Sequence, residues 1–306
     1  MAYRFYRLDI DQAHFGSGSL ESSAFSVMAD TVFSALCGQA LAIEGANGLE
    51  RLLEEVRGGL AFSDTFPYIG DRIFGPKPIV AVEGQTDGSP QKKLAKKIGY
   101  LPLTDLDSWI EGRADLDTIA DELDGLGKSA LIGKAQIRTE GSDAEPYRVN
   151  VVSFAPDAGL WFLAQGGEEA LAHVDTLVPA LGVSGIGGDR SSGLGRFTST
   201  ASEPPAHVTA LLQREGTRHM ALTTCLPTDA ELSDDLLDEA TYLLVRRSGF
   251  VASQTYAPTP LRKKDLYKFA AGSVFHTRFS GDVVDVSNGG AHPVYSYAKP
   301  LWMGLG

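Results

Sequence analysis

The first part of the chain alternates between two hydrophobic periods. Apolar and polar residues alternate over 3–10, which is typical of a β-strand. From 25 to 36 apolar residues recur every three or four positions, as on one face of an amphipathic helix. A shorter helical stripe covers 49–56, and the apolar run 61–66 ends at Pro67. The pattern predicts a strand, two helical segments and a second strand.

The same two periods return after residue 130. Strand patterns occupy 131–138, 147–154 and 159–164, and they are followed by a helix over 168–181 with one apolar face. A glycine-rich loop over 185–196 then leads into another strand pattern. This second part therefore predicts strands, a helix and a closing strand.

A segment of different composition separates the two parts. From about 68 to 130 the chain is rich in Gly, Pro, Lys and Asp, which predicts an insertion. Without it, the order of elements is the βαββαβ pattern of a ferredoxin-like fold. The pair Pro204 and Pro205 marks a boundary. We therefore predict an α+β protein of two ferredoxin-like (RRM-like) domains: 1–203, which carries the insertion and the loop, and 204–306, which is degenerate.

Composition narrows the class of protein. The 306 residues are 43% hydrophobic and 22% charged, as in a globular protein with a proper core. No apolar run approaches the length of a membrane span, and the N-terminus lacks the apolar stretch of a signal peptide. Cys37 and Cys225 lie far apart in apolar stretches, which predicts buried thiols rather than a disulfide. These features predict a cytoplasmic protein that does not contact a membrane.

The charge pattern leaves two interpretations open. A net charge of −12 disfavours general affinity for nucleic acid, but phosphate binding depends on local basic clusters. Each cluster is either a solvated face or part of an RNA-binding surface. The clusters are Lys92, Lys93, Lys96 and Lys97; Arg246 and Arg247; and Arg262, Lys263 and Lys264 with Lys268.

The glycine-rich loop is the most informative stretch. Residues 185–196 include five glycines, two arginines and two serines. A backbone with so few Cβ atoms can lie against a polyanion and offer its N–H groups, and arginines would add bidentate phosphate contacts. The spacing matches neither the P-loop nor the dinucleotide-binding motif. The loop therefore predicts an anion-binding cradle, with a mobile surface loop as the alternative.

Several stretches resemble a known family. The run Gly-Gly-x-x-Ser-x-Gly-x-Gly-x-Phe over 187–197, before the last strand of a ferredoxin-like unit, resembles the RAMP superfamily of CRISPR-associated proteins. Further stretches narrow the resemblance to the fourth-subunit family of type III-A CRISPR (Csm) effector complexes. In chain order these stretches are 14–16, 29–36, 63–67, 76–78, 92–97, 246–250 and 293–302.

This resemblance implies a scaffold without catalytic residues, metal or cofactor. Such a subunit binds the crRNA 5′ handle, docks the large Cas10-type subunit and meets the backbone Csm subunit, with target RNA nearby. It also implies a protruding thumb, for which 77–97 is the candidate. Base stacking is a possible role for Phe15, Tyr68, Phe197, Phe250 and Tyr267. The candidate RNA-binding residues are His14, Phe15, Gly16, Lys77, Lys92, Lys93, Lys96, Lys97, Arg138, Gly187, Gly188, Arg190, Ser191, Ser192, Gly193, Gly195, Arg196, Arg247, Ser248, Lys263 and Lys264.

The alternative function is a RAMP-type, metal-independent endoribonuclease that processes repeat RNA. His14 is its candidate general acid–base, because histidine titrates near neutral pH. A lone histidine in a Gly/Ser loop more often forms a hydrogen bond or stacks on a base, and the sequence indicates no second base for it. The remaining histidines show no metal-ligand spacing, and no GxSxG nucleophile motif occurs. We therefore predict that the chain is not an enzyme.

Overall fold

The computed structural model describes residues 1–81, 90–136, 145–253 and 255–306. The α-helices there are α1 (Ala29–Arg57), α2 (Pro90–Lys97), α3 (Leu106–Ile110), α4 (Leu116–Asp124), α5 (Glu168–Ser184), α6 (Ala206–Leu212) and α7 (Asp234–Leu237). The strands up to the end of α5 are β1 (Ala2–Ile10), β2 (Gln12–Ala13), β3 (Ala61–Phe62), β4 (Phe66–Ile69), β5 (Arg72–Pro76), β6 (Tyr100–Pro102), β7 (Gly127–Gln136), β8 (Glu145–Phe154) and β9 (Ala158–Gly166). The later strands are β10 (Phe197–Ser202), β11 (Arg218–Ala221), β12 (Leu244–Arg247), β13 (Leu266–Phe269), β14 (Val274–Phe275), β15 (Val283–Asp285), β16 (Tyr295–Tyr297) and β17 (Trp302–Leu305).

A central antiparallel sheet organises the N-terminal half. Its strand order is β10-β1-β9-β4-β5-β6, and β3 also pairs with β9. The order β10-β1-β9-β4, with α1 and α5 as the crossover helices, is the one that a βαββαβ chain generates. The predicted mixture of helices and antiparallel sheets is confirmed. The division into two ferredoxin-like domains at residues 203 and 204 stays a prediction.

Both faces of this sheet are buried. On one face Tyr6 and Leu8 of β1 belong to a core that includes residues of α1 and α5. On the other face Phe5 stacks on Trp161, with ring centroids 5.1 Å apart, in a second core that includes Met220 of the C-terminal half. Successive residues of β1 therefore point into two different cores. The burial of apolar side chains in the second core joins the two halves of the chain.

Part of the predicted insertion belongs to the central sheet. Within the segment 68–130, strands β5 and β6 extend the sheet beyond β4, and Ile73 and Phe74 are buried. Gly70, with a φ of 57°, forms the turn between β4 and β5. The glycines and prolines of this segment hid the alternation of apolar and polar residues in the sequence, although the apolar residues of the strands are present. The remaining helices of this segment pack around Trp109 in a small separate cluster.

The α1 region joins the two predicted helical stripes. The helix runs from Ala29 to Arg57 and is broken at Gly45, whose φ of 72° is not helical. The Ala29 N–H donates to the Asp64 carboxylate at 2.8 Å, so a residue distant in sequence accepts a hydrogen bond from the N-terminal end of the helix. The helix consequently starts at the point where β4 approaches it.

The C-terminal half contains smaller antiparallel groups. Strands β14-β11-β17 form a three-stranded sheet, while β12–β13 and β15–β16 form two separate pairs. Both cysteines are free thiols; Cys225 is buried as the sequence predicted, whereas Cys37 is half-buried. Within the described ranges, no helix combines the length and the apolar character that crossing a membrane requires.

Candidate nucleic-acid interface

The glycine-rich loop is anchored to the segment that follows β1. The Gly188 N–H donates to the His14 carbonyl at 2.9 Å, and the Gly195 N–H donates to the Gln12 carbonyl at 2.8 Å. Within the loop the Ile186 N–H donates to the Gly195 carbonyl at 2.9 Å. These N–H groups therefore hold the loop in place and are not offered to a phosphate.

The glycines of the loop serve two different purposes. A Cβ on Gly195 would lie 1.9 Å from the Ile186 carbonyl oxygen, and one on Gly187 would lie 2.6 Å from the His14 carbonyl oxygen. Both residues also have positive φ, 74° and 98°. Gly193 has a φ of 88° but nothing within 4 Å of its Cβ position. Gly187 and Gly195 thus permit close packing, whereas Gly193 leaves an open surface.

His14 and Phe15 lie inside the protein. Their exposed fractions are 4% and 3%, and the His14 Nδ1 is 2.8 Å from the Asn150 carbonyl oxygen of β8. A Cβ on the neighbouring Gly16 would lie 3.2 Å from the His14 Nε2. The buried rings cannot stack on a base in this conformation, and hydrogen bonding and packing are the roles that the geometry supports.

A cleft of about 470 Å³ opens beside His14. Asp189, on its rim, forms an ion pair with Lys134 of β7 and accepts a hydrogen bond from the Ser192 hydroxyl at 3.0 Å. The hydrogen bond from Lys134 holds the pKa of Asp189 below its usual range. Lys134 was missing from the sequence candidates, because no local pattern links it to a loop 55 residues away. It neutralises the acidic residue of the loop.

The two arginines of the loop face the solvent. Residues 190–193 and Arg196 are exposed. Arg190 and Arg196 form no ion pair with any residue in the described ranges. We call this exposed group, made of Arg190, Ser191, Ser192, Gly193 and Arg196, the loop surface.

The lysine-rich candidates separate into two kinds. The Lys77 ammonium donates to the Ala95 carbonyl at 2.6 Å and lies 5.5 Å from the centre of the Trp109 ring, and burial lowers the pKa of Lys77. Lys77 therefore stabilises the small helical cluster. On α2, Lys92 is half-buried, whereas Lys93, Lys96 and Lys97 are exposed and form a solvated basic face. Arg138 lies outside the described residues.

Arg247 is committed to a buried ion pair. Its Nε and Nη2 donate to the two oxygens of Asp30 at 2.8 and 2.7 Å. The Lys268 ammonium lies 3.4 Å from the same carboxylate and donates to the Tyr297 carbonyl at 2.6 Å. Burial alone would raise the pKa of Asp30, but Lys268 and Arg247 hold it well below its usual range. This ion pair joins α1 to β12, and a phosphate contact by Arg247 stays a prediction.

Three other candidates meet at the turn after β12. The Lys263 N–H donates to the Gly249 carbonyl at 3.0 Å, which brings 263–264 beside Ser248. The Ser248 hydroxyl accepts a hydrogen bond from Arg262 at 3.3 Å. Lys264 is exposed, whereas Lys263 is half-buried and burial lowers its pKa. The structure therefore brings Ser248, Lys263 and Lys264 together.

Two solved structures share this fold. The chain is similar to one in the crystal structure of the Csm3-Csm4 subcomplex in the type III-A CRISPR-Cas interference complex, with a TM-score of 0.67, 16% identity and 99% of both chains covered. It is also similar to one in the Csm1-Csm4 cassette in complex with cA4, with a TM-score of 0.60, 19% identity and coverage of 99% and 98%. The mixed α/β fold is that of these Csm4 structures.

Sequence comparison gives the family. The profile described as the CRISPR Csm4 C-terminal domain matches residues 214–305. A relative from Mycobacterium tuberculosis (strain ATCC 25618 / H37Rv), "CRISPR system Cms protein Csm4", is 49% identical over 306 residues, covering 100% of this chain and 98% of the relative. The chain therefore belongs to the Csm4 family, which confirms the resemblance found in the sequence.

Proposed function

We propose that this chain is a non-catalytic, RNA-binding scaffold of a type III-A CRISPR (Csm) effector complex and that it holds the crRNA 5′ handle. The observation that carries the proposal is the loop surface. It has two exposed arginines without ion-pair partners in the described ranges and the open backbone of Gly193, on a loop fixed by hydrogen bonds to the segment after β1. A fixed loop presents its cations to phosphates at little entropic cost.

We also propose that the chain docks two protein subunits, the large Cas10-type subunit and the backbone subunit. The similar chains are found in a Csm1-Csm4 cassette and a Csm3-Csm4 subcomplex. An acidic body with a net charge of −12 and separate basic patches suits contact with a basic protein on one side and with RNA on another.

The best-supported candidate for the thumb near guide and target RNA is the hydrogen-bonded ladder formed by β7 and β8. Ten residues of β7 pair with ten of β8, and residues 128–133 are exposed. The sequence placed the thumb at 77–97, but in the described part of that segment Lys77 and Ala95 pack into the helical cluster around Trp109. The exposed strand β7 is better suited to reach a neighbouring duplex.

The absence of catalysis remains a proposal that the surroundings of His14 support. The His14 ring forms a hydrogen bond with the Asn150 carbonyl oxygen, and within the described residues no carboxylate or cation forms a hydrogen bond or ion pair with His14. A general acid–base normally needs a partner that orients it and a second group that stabilises the developing charge.

Replacing Arg190 and Arg196 with Ala tests the proposal. If both contact phosphates, affinity of the full chain for handle RNA should fall about 10- to 150-fold per arginine, as for charged hydrogen bonds. Arg113→Ala is the control, since Arg113 is 67% exposed and pairs with Glu111. Unchanged affinity in the double variant would make the loop a connector. Multiple-turnover cleavage of repeat RNA by the wild-type chain would establish the enzyme instead.

A further inference from the structure

The pairing of β12 with β13 resumes beyond their regular ends, with the register shifted by one residue. The Lys263 N–H donates to the Gly249 carbonyl at 3.0 Å, the Val251 N–H donates to the Leu261 carbonyl at 2.9 Å, and Phe250 forms a bridge with Arg262. We call the two segments 244–251 and 261–269 the strand pair. It has an inner face toward α1 and an outward face.

Alternation along β12 separates neighbouring arginines. Arg247 turns inward to Asp30, whereas Arg246 turns outward with 54% of its side chain exposed. The register places Arg246 directly opposite Tyr267, which is 58% exposed. An aromatic residue and an arginine are therefore cross-strand neighbours on the outward face, where the Arg246 Nε also lies 3.8 Å from the Asp265 carboxylate.

A second pair of the same composition follows along the strand pair. Phe250, 64% exposed, lies opposite Arg262, whose guanidinium carbon is 5.8 Å from the ring centre. Arg262 also donates to Ser248, two positions from Arg246, which connects the two pairs. Exposed rings flanked by arginines are what proteins use to stack unpaired bases and hold their phosphates.

The local charge favours a polyanion over a protein partner. Residues 244–269 carry six basic residues and one acidic residue, in a chain whose net charge is −12. On the inner face Arg247 and Lys268 both pair with the Asp30 carboxylate, and the Asp64 carboxylate also lies nearby. Aromatic residues and arginine are enriched in protein interfaces as well, so it is the net positive charge of this segment, lysines included, that favours RNA as the ligand.

We propose that the outward face of the strand pair binds unpaired RNA, with Tyr267 and Phe250 each stacking on one base and Arg246 and Arg262 contacting the backbone. This inference rests on the proposed RNA-scaffold function and adds a contact surface separate from the loop surface. Single-stranded RNA is the expected ligand, because stacking on a side chain requires an exposed base face.

The test measures fluorescence anisotropy of a labelled single-stranded handle RNA with the full chain. Tyr267→Ala and Phe250→Ala should each weaken binding about 5- to 150-fold, the range for loss of one stacked base. Tyr267→Phe should retain binding, because the ring remains. Leu244→Ala is the matched control, since Leu244 is 56% exposed on the same face but has no ring. Melting temperatures of all variants confirm that the fold is intact.

The outcomes distinguish this inference from the function on which it rests. Wild-type affinity in both Ala variants, together with loss of affinity in the Arg190/Arg196 variant, would overturn the stacking surface and leave the scaffold function standing. If Leu244→Ala and Tyr267→Ala instead prevented assembly with the Csm1 or Csm3 subunit without changing RNA affinity, the face would be a protein-docking site. Failure of the wild-type chain to bind RNA would overturn both proposals.

Discussion

The glycine-rich loop and the strand pair use similar residues in opposite ways. In the loop, backbone groups are occupied by hydrogen bonds to the segment after β1, while the arginine side chains are exposed. In the strand pair, the inner side chains are occupied by the Asp30 ion pairs, while the outward face is exposed. The two regions therefore leave different groups available: charges on a fixed turn in one, and rings beside charges in the other.

Arg246 and Arg247 show the same contrast at single-residue scale. They are adjacent in sequence and chemically identical, but strand alternation sends one to solvent and the other to a carboxylate 217 residues away in the chain. The position of a basic residue relative to the sheet, rather than its membership of a basic cluster, decides whether its side chain is exposed.

The largest expected effect is on the inner face. Asp30→Ala should lower the free energy of unfolding by about 3–5 kcal/mol, because it leaves Arg247 and Lys268 without their buried counter-ion. Urea denaturation measures the change. Asp265→Ala is the control: Asp265 is 41% exposed, lies 3.8 Å from Arg246, and should change stability by less than about 1 kcal/mol. Equal losses in both variants would remove the distinction between the two faces.

The glycines of the loop can be compared in the same assay. Gly195→Ala should lower the free energy of unfolding by about 2–5 kcal/mol, since the new Cβ combines positive-φ strain with a clash against the Ile186 carbonyl. Gly193→Ala should cost only about 1–2 kcal/mol of strain, because nothing lies near its Cβ position. A Gly195 variant as stable as the Gly193 variant would show that the loop does not depend on close packing against its neighbours.

The buried carboxyl groups of Asp64 and Asp30 are neighbours on the inner side of the strand pair, but their pKa values shift in opposite directions. Asp64 accepts hydrogen bonds from the Ala29 N–H, the Thr224 N–H and the Thr224 hydroxyl at 2.6–2.9 Å, and burial raises the pKa of Asp64 to about 6. The cations beside Asp30 hold its pKa low instead. Asp64 therefore favours protonation in the folded state, and Asp30 stays ionised.

The sign of the pH dependence follows from the raised pKa. Between the ordinary value of 3.8 and about 6 the folded state binds more protons at Asp64 than the unfolded state, so its contribution to stability falls as pH rises through this window. As the pH rises from 4 to 7, the free energy of unfolding of Asp64→Asn should increase by about 2–3 kcal/mol relative to that of wild type, because the asparagine does not titrate. Denaturation curves across this range measure the difference. Parallel curves for the two proteins would contradict a raised pKa.

Local periodicity predicted much of the fold and less of the interface. The helix predicted over 168–181 occurs as Glu168–Ser184, and the glycine-rich loop does precede the last strand of the βαββαβ order. The role of Arg247 could not be predicted, because its partner Asp30 is brought close only by the tertiary fold. The burial of His14 likewise depends on β8, and a Gly/Ser-rich context alone suggested an exposed loop.

The smallest expected effect is on the salt dependence of RNA binding. Half-buried Lys263 corresponds to inward-facing Arg247, and exposed Lys264 corresponds to outward-facing Arg246. Lys264 is exposed, whereas Lys263 is half-buried near Asp30. If the exposed lysine contacts one phosphate of single-stranded RNA, Lys264→Ala should reduce the slope of log K against log[salt] by about 0.7, because one fewer counter-ion is released on binding. Lys263→Ala should leave the slope unchanged and slightly alter stability. Anisotropy titrations of handle RNA over a range of salt concentrations provide both slopes. Equal reductions would mean that burial does not decide which lysine meets RNA, and the contrast between the two faces would then fail at this end of the strand pair.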